Sequence, residues 1–406
     1  MINTKSIPSH WKLSIIGDEC KVILGQSPPS SSYNTEKIGL PFFQGKAEFT
    51  DLHPIISKWC NAPKKIAEPN DVLISVRAPV GATNVADHIC CIGRGLAALR
   101  TKNHKYLFYF LRSIEHKIDE LGTGTTFRAI AGDTLKNISL PIPPEIEQQQ
   151  IVEKIEELFS ELDSGKRQLE NVRQQLKTYR QAVLKYAFEG KLTNTNVKDG
   201  ELPEGWKRVK VRDIAVDIQY GYTESATTKN VGPKFLRITD IQNNKVYWDT
   251  VPYCKISKGD KERKNLKDGD LVFARTGATV GKSFLIKGEI PESVFASYLI
   301  RIRFPKFISD KYVWHFFQSN IYWRQIFKGQ VGTGQPNVNG TKLGELLLPL
   351  APFEDQLLIV QEIESRLSLC SKLEETIEIC QRQSEGLKQS ILKQAFEGKL
   401  VKPQNT

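Results

Sequence analysis

The chain has 406 residues, of which 40% are hydrophobic and 25% charged, a balance typical of folded proteins and unlike that of disordered or fibrous ones. No stretch approaches the roughly 18 apolar residues of a membrane span, and no signal-peptide-like run opens the sequence, so we expect a cytoplasmic protein. The seven cysteines form no C-x-x-C pair and the six histidines form no ligand pair, so we predict reduced thiols, no metal and no cofactor.

The net charge of +11 is distributed unevenly along the chain. Residues 1–139 carry +5 and residues 196–347 carry +9, whereas residues 140–195 and 348–406 carry −1 and −2. Positive charge is therefore concentrated in two separate segments. This pattern indicates contact with a polyanion such as DNA, although ordinary surface lysine would also produce it.

Four parts are predicted in chain order. Residues 1–142 and 196–350 alternate β-like runs with short helical ones, which is typical of mixed α/β (α+β) globular domains. Residues 143–195 and 351–406 are each predicted to form one long helix, with prolines and acidic residues at the start and Gly190 or Gly398 at the end.

The two long helices are copies of each other. The segment that starts at Leu140 aligns with the segment that starts at Leu348 at an offset of 208, and both copies end in an identical AFEGKL. The domains that precede the two helices are also similar in sequence, although more weakly: Trp11 corresponds to Trp206 and Asp71 to Asp270. The sequence therefore contains a pseudo-twofold internal repeat.

Apolar residues follow each long helix in alternating steps of four and three, which predicts a coiled-coil seam interrupted at Gly165. Two such seams in one chain favour an antiparallel pair of helices within the molecule. Packing of each helix on its own domain, or dimerisation through the seams, stays open at this stage. The predicted seam residues are Ile151, Ile155, Leu158, Leu162, Leu169, Val172, Leu176, Tyr179, Val183 and Tyr186, and in the second copy Ile359, Ile363, Cys370, Leu373, Ile377, Cys380, Leu387 and Ile391.

One stretch is similar to a phosphate-binding P-loop. Residues 277–283, GATVGKS, have three residues between the glycines where a P-loop has four. We therefore expect a structural loop here and no nucleotide site.

The motifs around these elements resemble those of the specificity subunits of type I restriction enzymes, over essentially the whole chain. Each long helix begins with P-x-x-E/D-Q, and the first domain contains GQSP at 25–28, RAPVG at 77–81 and GRGL at 93–96. The second domain contains GDL at 269–271, but its GYTE at 221–224 lacks the proline of the family pattern.

The resemblance implies two target recognition domains, each of which reads one half of a split, asymmetric sequence in double-stranded DNA. It also implies that the helices set the spacing of the half-sites and dock two methyltransferase subunits, and it leaves open whether restriction subunits join. Methylation of adenine and cleavage of DNA would belong to these partners, so we expect no enzymatic activity in the chain itself.

Residues that present hydrogen-bonding or aromatic side chains on loops are the candidates for DNA contact. In the first domain we select Ser27, Tyr33, Gln44, Lys46, Arg77, Arg94, Thr126 and Arg128. In the second domain we select Tyr220, Tyr222, Lys229, Arg237, Thr239, Arg275, Thr276, Lys282 and Asn337.

Two other functions are carried as alternatives. A self-contained enzyme with two recognition domains would cut or modify DNA without a partner. A coiled-coil scaffold for other proteins would bind DNA weakly or not at all.

The seam generates a prediction about the length of the spacer. Insertion of one heptad between Leu169 and Val183 should change the preferred gap between the two half-sites without changing the bases recognised, because the insertion lengthens the spacer and leaves the domains intact. Mapping of methylated sites measures the gap, and an unchanged gap would contradict the prediction.

Overall fold

A computed structural model describes residues 7–124, 128–194, 196–198, 200–242, 244–277, 279–328 and 337–401. The chain divides into two compact units, one formed by Met1–Leu169 with Glu378–Thr406 and the other by Glu170–Ile377. Each unit therefore contains one globular domain and a part of both long helices. None of the helices in these described ranges has the length and apolar content that a membrane crossing requires.

The first unit is built around two sheets. Its strands are β1 (Lys12–Ile15), β2 (Lys21–Leu24), β3 (Tyr33–Asn34), β4 (Leu40–Phe43), β5 (Trp59–Cys60), β6 (Ile66–Ala67), β7 (Val72–Ser75), β8 (Thr83–Val85), β9 (Cys90–Ile92), β10 (Leu96–Arg100) and β11 (Ser139–Ile142). Its short helices are α1 (Ile16–Glu19), α2 (His104–Ser113), α3 (Glu115–Glu120) and α4 (Gly132–Lys136), and the first long helix is α5 (Glu145–Phe188). One sheet has the order β2-β10-β7-β8, the other has the order β3-β5-β4-β9-β6, and β1 pairs with β11.

The second unit repeats this plan. Its strands are β12 (Lys207–Lys210), β13 (Asp217–Tyr220), β14 (Lys234–Leu236), β15 (Ile241–Gln242), β16 (Lys245–Val246), β17 (Leu271–Ala274), β18 (Ser283–Leu285), β19 (Ser293–Phe295), β20 (Leu299–Arg303) and β21 (Leu347–Leu350). Its short helices are α6 (Val211–Ile214), α7 (Lys258–Lys264), α8 (Asp310–Gln318), α9 (Asn320–Phe327) and α10 (Gly340–Gly344), and the second long helix is α11 (Phe353–Phe396). The sheet order β13-β20-β17-β18 matches β2-β10-β7-β8, and β12 pairs with β21 as β1 pairs with β11. The predicted mixed α/β duplication is confirmed.

Parts of the two long helices run antiparallel within each unit. In the first unit Lys166 pairs with Glu385 at 3.1 Å and Asp163 with Lys388 at 2.7 Å, so residue numbers rise along α5 as they fall along α11. In the second unit Arg180 contacts Glu374 at 2.9 Å. Each helix has 44 residues and passes through Gly165 or Gly386 without a break. The predicted antiparallel pairing is confirmed.

The predicted seam is only partly correct. Ile151, Ile155, Leu176 and Val183 are buried, but Val172, Tyr179, Tyr186, Leu373 and Leu387 are exposed. The end of α5 uses the neighbouring positions Leu184, Ala187 and Phe188 to pack on the core of the second domain. The helices therefore follow the surface of a domain at their ends and not a continuous seam.

A buried glutamine fixes the start of each long helix. Gln148 donates from Nε2 to the carbonyl of Pro143 at 2.9 Å and accepts from Asn103 Nδ2 at 2.8 Å. Gln356 makes the same pair of contacts, donating to Ala351 O at 2.9 Å and accepting from the backbone N–H of Ser309 at 2.8 Å. Because Asn103 and Ser309 precede α2 and α8, the glutamine of P-x-x-E/D-Q ties the long helix to a short helix of the domain.

The identical AFEGKL segments complete the domain cores. Phe396 packs edge-on against Tyr106 and Phe110 in the first unit, and Phe188 packs edge-on against Tyr312 and Phe316 in the second. The glycine that follows ends the helix with a positive φ, +76° at Gly190. A Cβ at Gly190 would lie 2.2 Å from the ring of Pro203, so only glycine fits this helix end.

Gly190, which follows α5, and Gly165, which lies inside α5, predict opposite effects of alanine. Gly190→Ala should lower the free energy of unfolding by about 1–3 kcal/mol, because it imposes a Cβ on a left-handed, crowded position. Gly165→Ala is the matched control, since nothing lies within 4 Å of its Cβ position, and should raise stability by about 0.5–1 kcal/mol. Thermal unfolding of the full chain measures both, and equal midpoints would contradict the assignment.

Candidate nucleic-acid interface

Three loops of the first unit meet at one edge of its four-stranded sheet. Because β10 is antiparallel to both β2 and β7, the ends of β2 and β7 lie beside the start of β10. The loops that carry Ser27, Arg77 and Arg94 therefore lie side by side. We call this edge, and the equivalent edge formed by β13, β17 and β20 in the second unit, the loop edge.

Ser27, Gln44 and Arg94 form one hydrogen-bonded cluster at the loop edge of the first unit. Gln44 Nε2 donates to Ser27 Oγ at 2.9 Å, and the backbone N–H of Arg94 donates to the same oxygen at 3.2 Å. The side chains of Gln44 and Arg94 are exposed. Three of the selected residues are therefore brought together, with an amide and a guanidinium facing solvent.

Glycines allow the loops of this cluster to approach closely. A Cβ on Gly25 would lie 2.1 Å from the carbonyl oxygen of Gly93, and a Cβ on Gly95 would lie 2.5 Å from Gln44 O. In the second unit Gly221 has the same role, with its Cβ position 2.1 Å from Ala296 O. The glycines of the GQSP and GRGL motifs thus allow the loop backbones that carry the candidate side chains to pack closely. In the second unit Gly221 allows the same close packing, although the GYTE segment lacks the proline of the family pattern.

Tyr33 lies beside the cluster but is held in the fold. Its ring stacks on Phe42 at 4.5 Å, and its hydroxyl donates to Pro28 O at 2.8 Å. Burial, with Cys60 and Cys91 nearby, raises the pKa of Tyr33 above its ordinary value, so the hydroxyl stays protonated. Tyr33 supports the loop of Ser27 with this bond.

Arg77 and Arg128 flank the cluster on adjoining loops. The N–H of Val76 donates to Gly95 O at 2.9 Å, and the N–H of Ala78 donates to Arg128 O at 2.9 Å. The Arg128 guanidinium pairs with Asp119 at 2.9 Å, whereas the side chain of Arg77 is exposed.

The structure describes one of the two remaining candidates of the first domain, Lys46. Lys46 is exposed in a short 3-10 helix, Lys46–Glu48, two residues beyond Gln44. Thr126 lies outside the described residues.

Arg275 and Tyr220 form the centre of the loop edge in the second unit. The Arg275 guanidinium lies 5.1 Å from the centre of the Tyr220 ring, and the Tyr220 hydroxyl accepts from the N–H of Gly340 at 2.8 Å. Lys264 Nζ donates to Tyr220 O at 2.7 Å, and burial together with the charges of Arg301 and Arg263 lowers the pKa of Lys264. This cluster combines a cation and an aromatic ring, the types of side chain that contact phosphates and bases.

Four other candidates surround this centre. Thr276 follows Arg275, and Asn337 precedes Val338, whose N–H donates to Arg275 O at 3.0 Å. Lys282 precedes β18 at the same edge and borders a cavity of about 320 Å³. Tyr222 is half-buried, and its N–H donates to Phe295 O at 2.7 Å.

Arg237 also reaches the loop edge, in an ion pair with Asp240 at 2.8 Å. Thr239 and Lys229 are exposed on neighbouring loops, and within the described residues no hydrogen bond joins either side chain to Arg275 or Tyr220.

Sequence reasoning missed Tyr298, whose side chain is 63% exposed at the loop edge of the second unit. The N–H of Arg275 donates to Tyr298 O at 3.0 Å, as that of Val76 donates to Gly95 O. Tyr298 therefore stands where the first domain has Gly95. The first domain has Gly93 and Gly95 in this segment, whereas the equivalent segment of the second domain is Ala296, Ser297 and Tyr298. The two segments share no sequence motif, so the sequence did not show that they correspond.

Two motifs are structural in this fold. Asp71 and Asp270, each about 1% exposed, form bidentate pairs with Arg100 and Arg303. The GATVGKS stretch joins the antiparallel strands β17 and β18, whereas a phosphate-binding loop opens a helix, so the expectation of a structural loop is consistent with its surroundings. Among the described positions, no group of three His, Cys, Asp or Glu side chains is arranged to hold a metal ion.

The chain matches the family described as "Type I restriction modification DNA specificity domain" twice, over residues 8–173 and 203–380. These matches span most of its length, and the chain belongs to this family of DNA-specificity proteins. The two matches each contain one of the globular domains, so the chain carries two recognition domains.

Named relatives come from bacteria and archaea. The type I restriction enzyme EcoKI specificity subunit of Escherichia coli K12 is 28% identical over 88% of this chain and 80% of that protein. A Methanocaldococcus jannaschii protein that carries the name of the MjaX specificity subunit is 42% identical, but over 41% of this chain and 40% of that protein. This chain thus spans less than half of the second relative and four fifths of the first.

Solved structures share the fold. A chain from a structure of the type I R-M system gives a TM-score of 0.75 at 18% identity, covering 97% of this chain and 99% of that one. The HsdS subunit from Thermoanaerobacter tengcongensis gives a TM-score of 0.60 at 19% identity, covering 97% and 98%.

The crowded glycine of the first loop predicts a sensitive position. Gly25→Ala should separate the loops of Ser27 and Arg94, weaken binding to duplex DNA and lower the free energy of unfolding by about 1–3 kcal/mol, since its Cβ would meet a backbone oxygen. Gly45→Ala is the control, because nothing lies within 4 Å of its Cβ position next to Gln44. Binding and unfolding assays on both variants measure this, and identical behaviour of the two would contradict the role of Gly25.

Proposed function

We propose that each recognition domain binds one half of a split, asymmetric DNA sequence through its loop edge, and that the long helices hold the two half-sites at a set spacing. The proposed domains are residues 1–142 and 196–350, and the proposed spacer segments, which contain α5 and α11, are residues 143–195 and 351–406. The proposed contacts are the candidate residues named above, extended by Tyr298. Since its target is cellular DNA, the proposed location is the cytoplasm.

The observation that carries this proposal is the repeated loop edge. The same strands in the same order place hydrogen-bonding side chains at one edge of each domain, and the side chains differ while the backbone contacts agree. The exposed Gln44 and Arg94 occupy this edge in the first domain, and the half-buried Arg237 and Arg275 occupy it in the second. A shared loop backbone that carries different side chains suits two domains that bind different sequences.

The free energy available from base contacts favours two recognition domains over one. A good bidentate contact discriminates against a wrong base by about 1–3 kcal/mol, so the few contacts of one small domain cannot select a rare site from a genome. Two domains add their discrimination, and a fixed spacing excludes half-sites at other distances.

We further propose that the helices dock two methyltransferase subunits, which carry the chemistry, with restriction subunits as additional partners in a cleaving complex. Exposed apolar side chains on the helices support docking, among them Leu358 at 57% and Leu369 at 60% exposure in the second unit. A partner that covers these side chains would remove their apolar surface from water, which favours association.

Co-expression with candidate methyltransferase subunits, followed by mapping of methylated adenines, tests the function. We expect methylation at one split sequence only when this chain is present, and Leu358→Lys with Leu369→Lys should reduce co-purification of the methyltransferase while leaving the unfolding midpoint unchanged. DNA cleavage or methylation by the purified chain alone would favour the self-contained enzyme. Binding to DNA that does not fall steeply with salt would favour the scaffold, because phosphate contacts release counterions.

A further inference from the structure

Arg237 is held by an acidic neighbour in a defined orientation. Its Nε and Nη2 donate to Asp240 Oδ2 and Oδ1 at 3.1 and 2.8 Å, and its backbone N–H donates to Asp240 Oδ2 at 2.8 Å. The carboxylate is only 9% exposed, whereas the Arg237 side chain is 42% exposed. One side of the guanidinium is therefore bound to the protein and the opposite end faces solvent.

The free end of this guanidinium carries two parallel donors. With Nε and one hydrogen of Nη2 committed to Asp240, the hydrogens of Nη1 and the second hydrogen of Nη2 remain, and no described residue accepts from Nη1. Such a pair matches two acceptors that lie side by side. In the major groove guanine offers O6 and N7 in this arrangement, whereas adenine places a donor where guanine has O6.

The position of Arg237 is equivalent to that of Gln44. In the first unit β4 runs parallel to β9 and the N–H of Gly93 donates to Phe43 O at 2.8 Å, just before Gln44. In the second unit β14 runs parallel to β19 and the N–H of Ala296 donates to Leu236 O at 2.9 Å, just before Arg237. Both residues therefore leave the same strand at the same point of the loop edge.

We propose that this shared position recognises a base in each domain, and that Arg237, oriented by Asp240, recognises a guanine in the half-site of the second domain. The inference rests on the proposed function. At the equivalent position the Gln44 amide has its carbonyl and one N–H left after its bond to Ser27. This pair matches adenine in the major groove, where the N6 amino group donates to the amide carbonyl and N7 accepts from the amide N–H.

The test selects sequences from a randomised duplex library with the full-length chain and with Arg237→Ala, Arg237→Lys and Asp240→Asn. The wild-type chain should require guanine at one position of one half-site. Arg237→Ala should reduce that preference by about 5- to 150-fold and leave the other half-site unchanged, since it removes one bidentate contact. Arg237→Lys should keep affinity and weaken the preference, because a lysine ammonium lacks the planar fork of donors that Asp240 orients.

A matched control separates this contact from a general effect of charge. Arg212 on α6 is an exposed arginine paired with Glu345, and α6 precedes the start of β13, the strand end opposite the loop edge. Arg212→Ala removes the same charge from the same domain and should select the wild-type sequence. Gln44→Ala should relax one adenine position in the other half-site.

A base analogue provides a readout on the unaltered protein. Replacement of the selected guanine by 7-deazaguanine removes the N7 acceptor and should weaken binding by the wild-type chain but not by Arg237→Ala. Asp240→Asn should lower the preference for guanine while the dependence of affinity on salt stays the same. This analogue experiment decides the question even where a variant lowers the unfolding midpoint.

The outcomes distinguish the inference from the function on which it rests. A wild-type chain without any sequence preference overturns the proposed function. A selective wild-type chain whose sequence is unchanged in Arg237→Ala, or whose binding is indifferent to 7-deazaguanine, overturns the inference alone. An equal loss for all sequences, with a salt slope reduced by about one, makes Arg237 a phosphate contact and also overturns the inference.

Discussion

Burial of a phenylalanine at the end of each long helix is the contact on which the architecture depends. Phe396 completes the core of the first domain and Phe188 that of the second, and truncation of a buried phenylalanine costs about 3–5 kcal/mol. The buried glutamines Gln148 and Gln356 fix the opposite ends of the helices. Each unit therefore packs the start of one long helix and the end of the other against its own domain.

The loop edge depends on the sheet in the same way. Backbone contacts and crowded glycines set the positions of the loops, so the candidate side chains need little reorganisation before they bind. The pairs Asp71–Arg100 and Asp270–Arg303 join the same strands at the ends opposite the loop edge. The described candidate residues are exposed or half-buried, whereas the carboxylates of these two ion pairs are buried.

The repeat predicted the fold because burial and helix termination leave strong sequence patterns. AFEGKL, P-x-x-E/D-Q and the paired aspartates each have a packing role in both copies. The loop edge was harder to predict. Tyr298 was missed because the second domain lacks the glycines of the first, and Val172 and Tyr179 were placed in a seam because periodicity cannot tell which partner covers a helix face.

The close approach of Gly25 to Gly93 O, and of Gly221 to Ala296 O, has a consequence for how such a protein can change its target. There is no space for a side chain at these two glycines. The neighbouring side chains at the loop edge, Gln44 in one domain and Arg237 in the other, nevertheless differ. Under the proposed function, recognition of a new sequence requires only the exchange of these side chains, while the backbone of the loops stays unchanged. Each domain can change independently of the other. The number of possible target sequences is then the product of the numbers of half-sites that the two domains can recognise.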